Sequence, residues 1–115
     1  MEDADIYALF GNILDNAIEA ADRLEDKEKR LISLTVRTRS QLLIVTEENY
    51  HDGTLVLEGG LPVTTKADKR FHGFGMQSIK MLTEKYGGDL RLQSQAGIYR
   101  LSILFPIVED VEKRG

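Results

Sequence analysis

Leu9-Phe10-Gly11-Asn12-Ile13-Leu14-Asp15-Asn16-Ala17-Ile18-Glu19-Ala20 is the stretch on which the reading of the fold turns. Its apolar positions belong to a longer series, Ile6, Leu9, Phe10, Ile13, Leu14, Ala17, Ile18 and Ala21, spaced three and four apart. That is the period of one helix face, so the spacing predicts a long amphipathic helix over residues 5 to about 24. Asp3 or Asp5 is placed to cap its start. The charged run 22–30 ends the periodicity in a solvated turn.

Outward from this helix, residues 31–37 and 42–46 are rich in β-branched and apolar side chains and are joined by a short polar link, 38–41, which predicts an antiparallel hairpin. Periodicity then fails over 47–71, where Asn49, Asp52-Gly53 and Gly59-Gly60 are turn formers and Pro62 interrupts. A short strand at 55–57 is expected inside this stretch. Ile79, Met81, Leu82 and Tyr86 mark a second helix opening near Phe74 or Gly75, with Gly87-Gly88 as its stop. Residues 90–93 and 99–105 form a last hairpin around Ala96-Gly97. Helix, hairpin, long loop, helix, hairpin implies an α/β (α+β) two-layer sandwich: helices on one face of a mixed, largely antiparallel sheet.

Composition limits what such a domain does. A chain of 115 residues with 42% hydrophobic and 30% charged residues has enough apolar material for one core, so residues 1–115 are read as a single domain. Its net charge of −4 lacks the basic footprint of a nucleic-acid binder, so an anionic ligand must be held locally. With no cysteine and two histidines, neither a thiol nucleophile nor a Cys/His zinc site is available. The acidic start and the absence of a run of roughly 20 apolar residues place the chain in the cytoplasm without direct membrane contact.

Three groups of residues carry chemistry. Asn12, Asn16 and Glu19 share a stripe at the edge of the first helix's buried face. Asn is a mediocre residue inside a helix, and an amide oxygen suits Mg²⁺, although two such residues also serve as plain backbone bridges. His72-Gly73-Phe74-Gly75-Met76 lies where the second helix opens. Glycines there admit an anion against free amides, or form an ordinary hinge. Thr64-Thr65-Lys66, with Lys69 and Arg70, is either a cationic lid or a solvated loop.

Together the groups resemble a known family. Residues 9–20 look like the N box, and His72-Gly73-Phe74-Gly75-Met76-Gln77-Ser78-Ile79 like the second glycine box, of the ATP-binding catalytic domains of sensor histidine kinases. These belong to the GHKL superfamily shared with gyrase, the ninety-kilodalton heat-shock chaperone and the mismatch-repair ATPase. Gly60-Leu61-Pro62-Val63-Thr64-Thr65-Lys66 and Glu84-Lys85-Tyr86-Gly87-Gly88 resemble the peptide-responsive, quorum-sensing branch.

The resemblance implies a Bergerat-type fold binding ATP and Mg²⁺, with a lid at about 59–73. Asn16 would be the metal ligand. Asn12 would neighbour the phosphates, in the place where hydrolytic relatives carry a glutamate. Asn49 takes the position of the residue that meets the adenine amino group, with Asp52 as the reserve and Gly53 beside it. Thr65 and Lys66 would reach the terminal phosphates, with His72, Gly73, Phe74, Gly75 and Met76 cradling them. A threonine common at the start of the last strand is replaced near Tyr99, and no role is carried over there. The implied activity is a protein-histidine kinase catalytic domain donating the γ-phosphoryl group to a histidine on a separate dimerisation domain of the same parent protein, and through it to a response regulator. Neither His51 nor His72 fits the acceptor motif. A stand-alone anti-sigma-factor-like Ser/Thr kinase and a degenerate, non-catalytic nucleotide-binding module are the alternatives.

Overall fold

The computed structural model describes residues 1–51, 56–58, 61–63 and 69–107, with side chains for 1–51 and 75–107. The elements are α1 (Asp3–Asp22), β1 (Ile32–Arg39), β2 (Leu42–Tyr50), β3 (Val56–Glu58), β4 (Leu61–Val63), α2 (Lys69–Lys85), β5 (Asp89–Gln95) and β6 (Ile98–Pro106), with a single 3₁₀ turn at Lys27–Lys29. Four strands form one sheet in the order β1-β2-β6-β5, and β3 pairs with β4 separately. Every neighbouring pair is antiparallel, so the sheet is not mixed as expected. The two hairpins meet along β2 and β6 with Asn49 opposite Tyr99 and Glu47 opposite Leu101.

The side-chain period of two sends Val45, Glu47 and Asn49 of β2 and Tyr99, Leu101, Ile103 and Phe105 of β6 to the buried face. Leu9, Ile13 and Ala17 of α1 and Met76 and Ile79 of α2 close over them. This is the two-layer arrangement read from the sequence.

Several boundaries moved. α1 starts two residues earlier than predicted, and its N-cap is Glu2, which makes no side-chain capping bond. Asp5 lies inside the helix and reaches across to α2, accepting hydrogen bonds from Lys85 Nζ at 2.8 Å and from the Tyr86 hydroxyl. These two bonds, the Lys85 one foremost, hold its carboxyl below the ordinary range. The charged run after α1 is more than solvated: Arg30 donates from Nε and Nη2 to the Leu24 carbonyl at 2.9 and 2.7 Å, placing a cation at the negative end of the helix.

Pro62 does not interrupt. It sits in β4 opposite Leu57, and a two-stranded ladder leaves an outer edge that asks for no N–H. Gly87 (φ +69°) ends α2, its N–H donating to Glu84 and that of Gly88 to Thr83, the Schellman pattern. Ala96 and Gly97 turn the last hairpin at φ 54° and 78°, the type I′ geometry.

The largest displacement is at α2, which starts at Lys69 and not near Phe74. Two helical glycines cost about 1 kcal/mol each against alanine, and the turn ahead of them holds no proline, so nothing stops the helix from running through the glycine box. The first residues of α2, and β4, therefore lie within the span 59–73 expected as a lid, and residues 64–68 lie outside the described residues.

Candidate nucleotide site

Asn12 and Asn16 are half-buried on α1, one turn apart, at the edge of its core-facing stripe. Asn16 meets α2 at Gly75. A Cβ added to Gly75 would lie 2.8 Å from Asn16 Oδ1 and 3.3 Å from its Nδ2, so the helices approach over a bare Cα. Asn16 Nδ2 is buried and finds no hydrogen-bond partner among the described residues.

Gly75→Ala separates two effects that usually travel together. A helical Gly→Ala exchange gains about 1 kcal/mol of propensity, and the atom in the way is the movable end of a side chain. The domain is expected to keep its stability to within about 1 kcal/mol in urea unfolding, while the Asn16 amide is pushed from its seat, so that any affinity for a magnesium-nucleotide complex that depends on that amide should fall by about tenfold or more in calorimetric titration. Equal losses of stability and affinity would contradict the placement.

The glycine box itself is placed differently from expectation. Within a helix beginning at Lys69, the N–H groups without intrahelical carbonyls belong to its first turn, and those of Gly73, Phe74, Gly75 and Met76 point back along the helix. The bare amides available to an anion thus begin at Lys69. The Met76 side chain is buried in the core. His72, Gly73 and Phe74 lie on α2, and their side chains are outside the described residues, as are Asp52, Gly53, Thr65 and Lys66 altogether.

On the sheet, Asn49 is buried at the end of β2. Its Nδ2 donates to the Tyr50 carbonyl at 2.9 Å, which leaves Oδ1 as a buried acceptor with no partner among the described residues. His51, next after β2, is anchored to the last hairpin: its N–H donates to the Gly97 carbonyl at 3.0 Å, and its Nε2 lies 2.7 Å from Ser94 Oγ.

Two further residues escaped the sequence reading. Glu47 is 1% exposed, and burial, with a smaller contribution from the Glu48 charge, pushes its carboxyl up to about 8. Its Oε2 has no partner among the described residues. Tyr99, opposite Asn49, has its hydroxyl buried and likewise unpartnered, and burial followed by the nearby Glu47 raises it above the ordinary phenol range. The alternation in β2 that turns Val45 inward also turns Glu47 inward, and would have found it had the strand been carried past Thr46.

Asn16, Glu47, Asn49 and Tyr99 account for every buried side-chain polar atom without a partner among the described residues. Three of the four occupy adjacent positions on the helix-facing side of β2 and β6. Unpaired buried polar atoms are costly and scarce, and these three lie together on one face of the sheet, where a polar occupant would satisfy them. No cluster of three or more His, Asp or Glu suited to a metal occurs among the described residues.

Comparison with known proteins agrees with the fold. The chain is 27% identical over 119 residues to the probable C4-dicarboxylate sensor kinase of Bacillus subtilis (strain 168), covering 96% of this chain and 21% of that protein. It thus spans about a fifth of that relative's length. Its fold matches the histidine kinase AdeS of Acinetobacter baumannii at a TM-score of 0.65, with 17% identity over 92% of this chain and 47% of that one. The histidine kinase domain of the Erythrobacter litoralis EL346 blue-light activated kinase matches at 0.61, with 21% identity over 90% of this chain and 43% of that one. The family model described as the GHKL domain matches residues 1–106. With its two helices on an antiparallel sheet and its homology to a sensor kinase, the chain belongs to the GHKL domain family.

Proposed function

We propose that this domain binds ATP with Mg²⁺ and presents the γ-phosphoryl group to a histidine on a separate dimerisation domain of a sensor kinase, from which it passes to a response regulator. The observation that carries the reading is the Asn49 amide. With one Nδ2 hydrogen donated to the Tyr50 carbonyl, the unpartnered buried atom is Oδ1, an acceptor, which suits the amino group of adenine. Asn16 fits the metal: a neutral amide oxygen is a hard ligand, and the seat against Gly75 holds that amide without a competing side chain. Asn12 and, between β4 and α2 in the sequence, Thr65 and Lys66 complete the phosphate contacts in this reading. Asp52 and Gly53 would border the base, and the free amides of the first turn of α2, from Lys69 on towards His72, would meet the phosphates, with Gly73 and Gly75 keeping the helix surface bare beside them.

Asn16 would hold Mg²⁺, which would supply positive charge against the phosphates. The domain's own task is placement, since phosphoryl transfer is mostly positioning plus electrostatic stabilisation. An amide at Asn12 cannot act as a general base on water, so the nucleotide waits for its histidine acceptor. The homologous sensor kinase, of which this chain covers 21%, leaves room for the acceptor domain and for membrane anchoring of a cytoplasmic catalytic portion. No helix among the described residues is long and apolar enough to cross a membrane.

Calorimetric titration with a non-hydrolysable ATP analogue tests the reading. Wild type should bind in a magnesium-dependent manner, and Asn16→Ala should lose about tenfold or more in affinity with Mg²⁺ present while its metal-free affinity stays unchanged. Equal affinities of the two proteins for the magnesium complex would remove Asn16 from the metal site.

A further inference from the structure

The reading above uses Asn49 and Asn16 and leaves two of the four unpartnered polar atoms without a task. Glu47 stands two residues before Asn49 on the same strand face, and Tyr99 stands across from Asn49 on β6. Their polar ends lie close enough for the Glu47 carboxyl to act electrostatically on the Tyr99 hydroxyl, yet they do not hydrogen-bond to each other. Among the described residues, neither has a cation or a donor to satisfy it. A carboxyl group this buried keeps its proton, since an isolated carboxylate in a low-dielectric site is far more costly than the acid. A neutral acid carries an O–H donor, whereas the unpartnered atom of the neighbouring Asn49 is its acceptor Oδ1. One strand face thus presents a donor and an acceptor two residues apart.

We propose that Glu47 is a base-recognition residue: its carboxylic O–H donates to the N1 ring nitrogen of adenine while Asn49 Oδ1 accepts from the adjacent N6 amino group. Adenine's edge carries that complementary pair, an amino donor beside a ring acceptor. Guanine reverses it, with a carbonyl acceptor beside an N–H donor. Glu47 is therefore a specificity-determining residue, and the Tyr99 hydroxyl closes the same polar floor from β6. The inference rests on the nucleotide-binding reading and adds to it which atoms of the base are read, and by what.

The test is calorimetric titration of wild type, Glu47→Leu and Glu47→Gln with the magnesium complexes of ATP and of 1-deaza-ATP, in which N1 is replaced by C–H. Wild type should favour ATP by about tenfold. Glu47→Leu should bind ATP about tenfold more weakly and lose the preference, because neither ligand then has a donor at that position. Glu47→Gln, which keeps an N–H donor, should retain most of both affinity and preference. A tenfold preference persisting in Glu47→Leu, or ATP affinity unchanged by that substitution, would overturn the role of Glu47 and leave nucleotide binding standing. Failure of wild type to bind either nucleotide would overturn both.

Discussion

Glu47→Leu is expected to raise the stability of the domain, and to raise it more as pH climbs from 5 to 8. In the folded state the Glu47 carboxyl is pushed up to about 8 from an ordinary 4.5, chiefly by burial. Below about 4.5 the group is protonated in both states and costs little beyond its unpartnered oxygen. Between 4.5 and about 8 the unfolded chain releases a proton that the folded chain must keep, so stability declines with rising pH. Above about 8 the folded group ionises as well and the loss is complete. At about 1.4 kcal/mol per unit, a shift of this size is worth roughly 3–5 kcal/mol. Leucine is of similar volume and has no proton to keep, and replacing buried polar groups by well-packed apolar ones is often stabilising. Urea unfolding at pH 5 and pH 8 should show the gap between the two proteins widening by several kcal/mol. Parallel pH profiles would show that Glu47 titrates normally.

Ile79→Ala is expected to cost about 2–5 kcal/mol, a large part of the 5–15 kcal/mol typical of a whole domain. Ile79 is fully buried and belongs to the core cluster that joins α2 to Val45, Leu101 and Ile103 of the sheet. Truncation removes about three methylene-sized groups and leaves a cavity that two helices and a sheet cannot readily collapse. Two positions further on, Met81 is 69% exposed on the same helix, and Met81→Ala should change stability by no more than about 0.5 kcal/mol. Thermal unfolding should place the Ile79 variant on the order of 10 °C below wild type and the Met81 variant beside it. Similar shifts for the two would mean that α2 is turned differently on the sheet.

The layers of this fold were legible where the apolar period was clean. Leu9, Ile13 and Ala17 announce α1, and they are three of its four buried residues. Val45 and the Tyr99-to-Phe105 alternation announce the buried sheet face. What escaped the sequence depended on neighbours in space. β2 runs on through Glu47 and Asn49 because β1 supplies ladder partners on one side and β6 on the other, and turn-forming residues there could not reveal that. The polar turn at the start of α2 looks like loop, and its glycines look like breakers.

Of the buried, unpartnered polar residues, Asn16 and Asn49 are the two that the family resemblance singles out. Glu47 and Tyr99 were not legible, since each is a polar residue in an apolar pattern whose burial appears only once the strands are paired. Asp52, Gly53, Thr65 and Lys66 lie outside the described residues.

The contact between Asn16 and Gly75 also constrains movement. A screw of α2 by one position either way would bring Phe74 or Met76 against Asn16, and neither side chain is as small as the methyl group to which the movable amide end can yield, so the two helices tilt or part more easily than they slide. A signal reaching the second helix would then arrive at the amide on the first more readily as a change of angle or separation than as an axial shift.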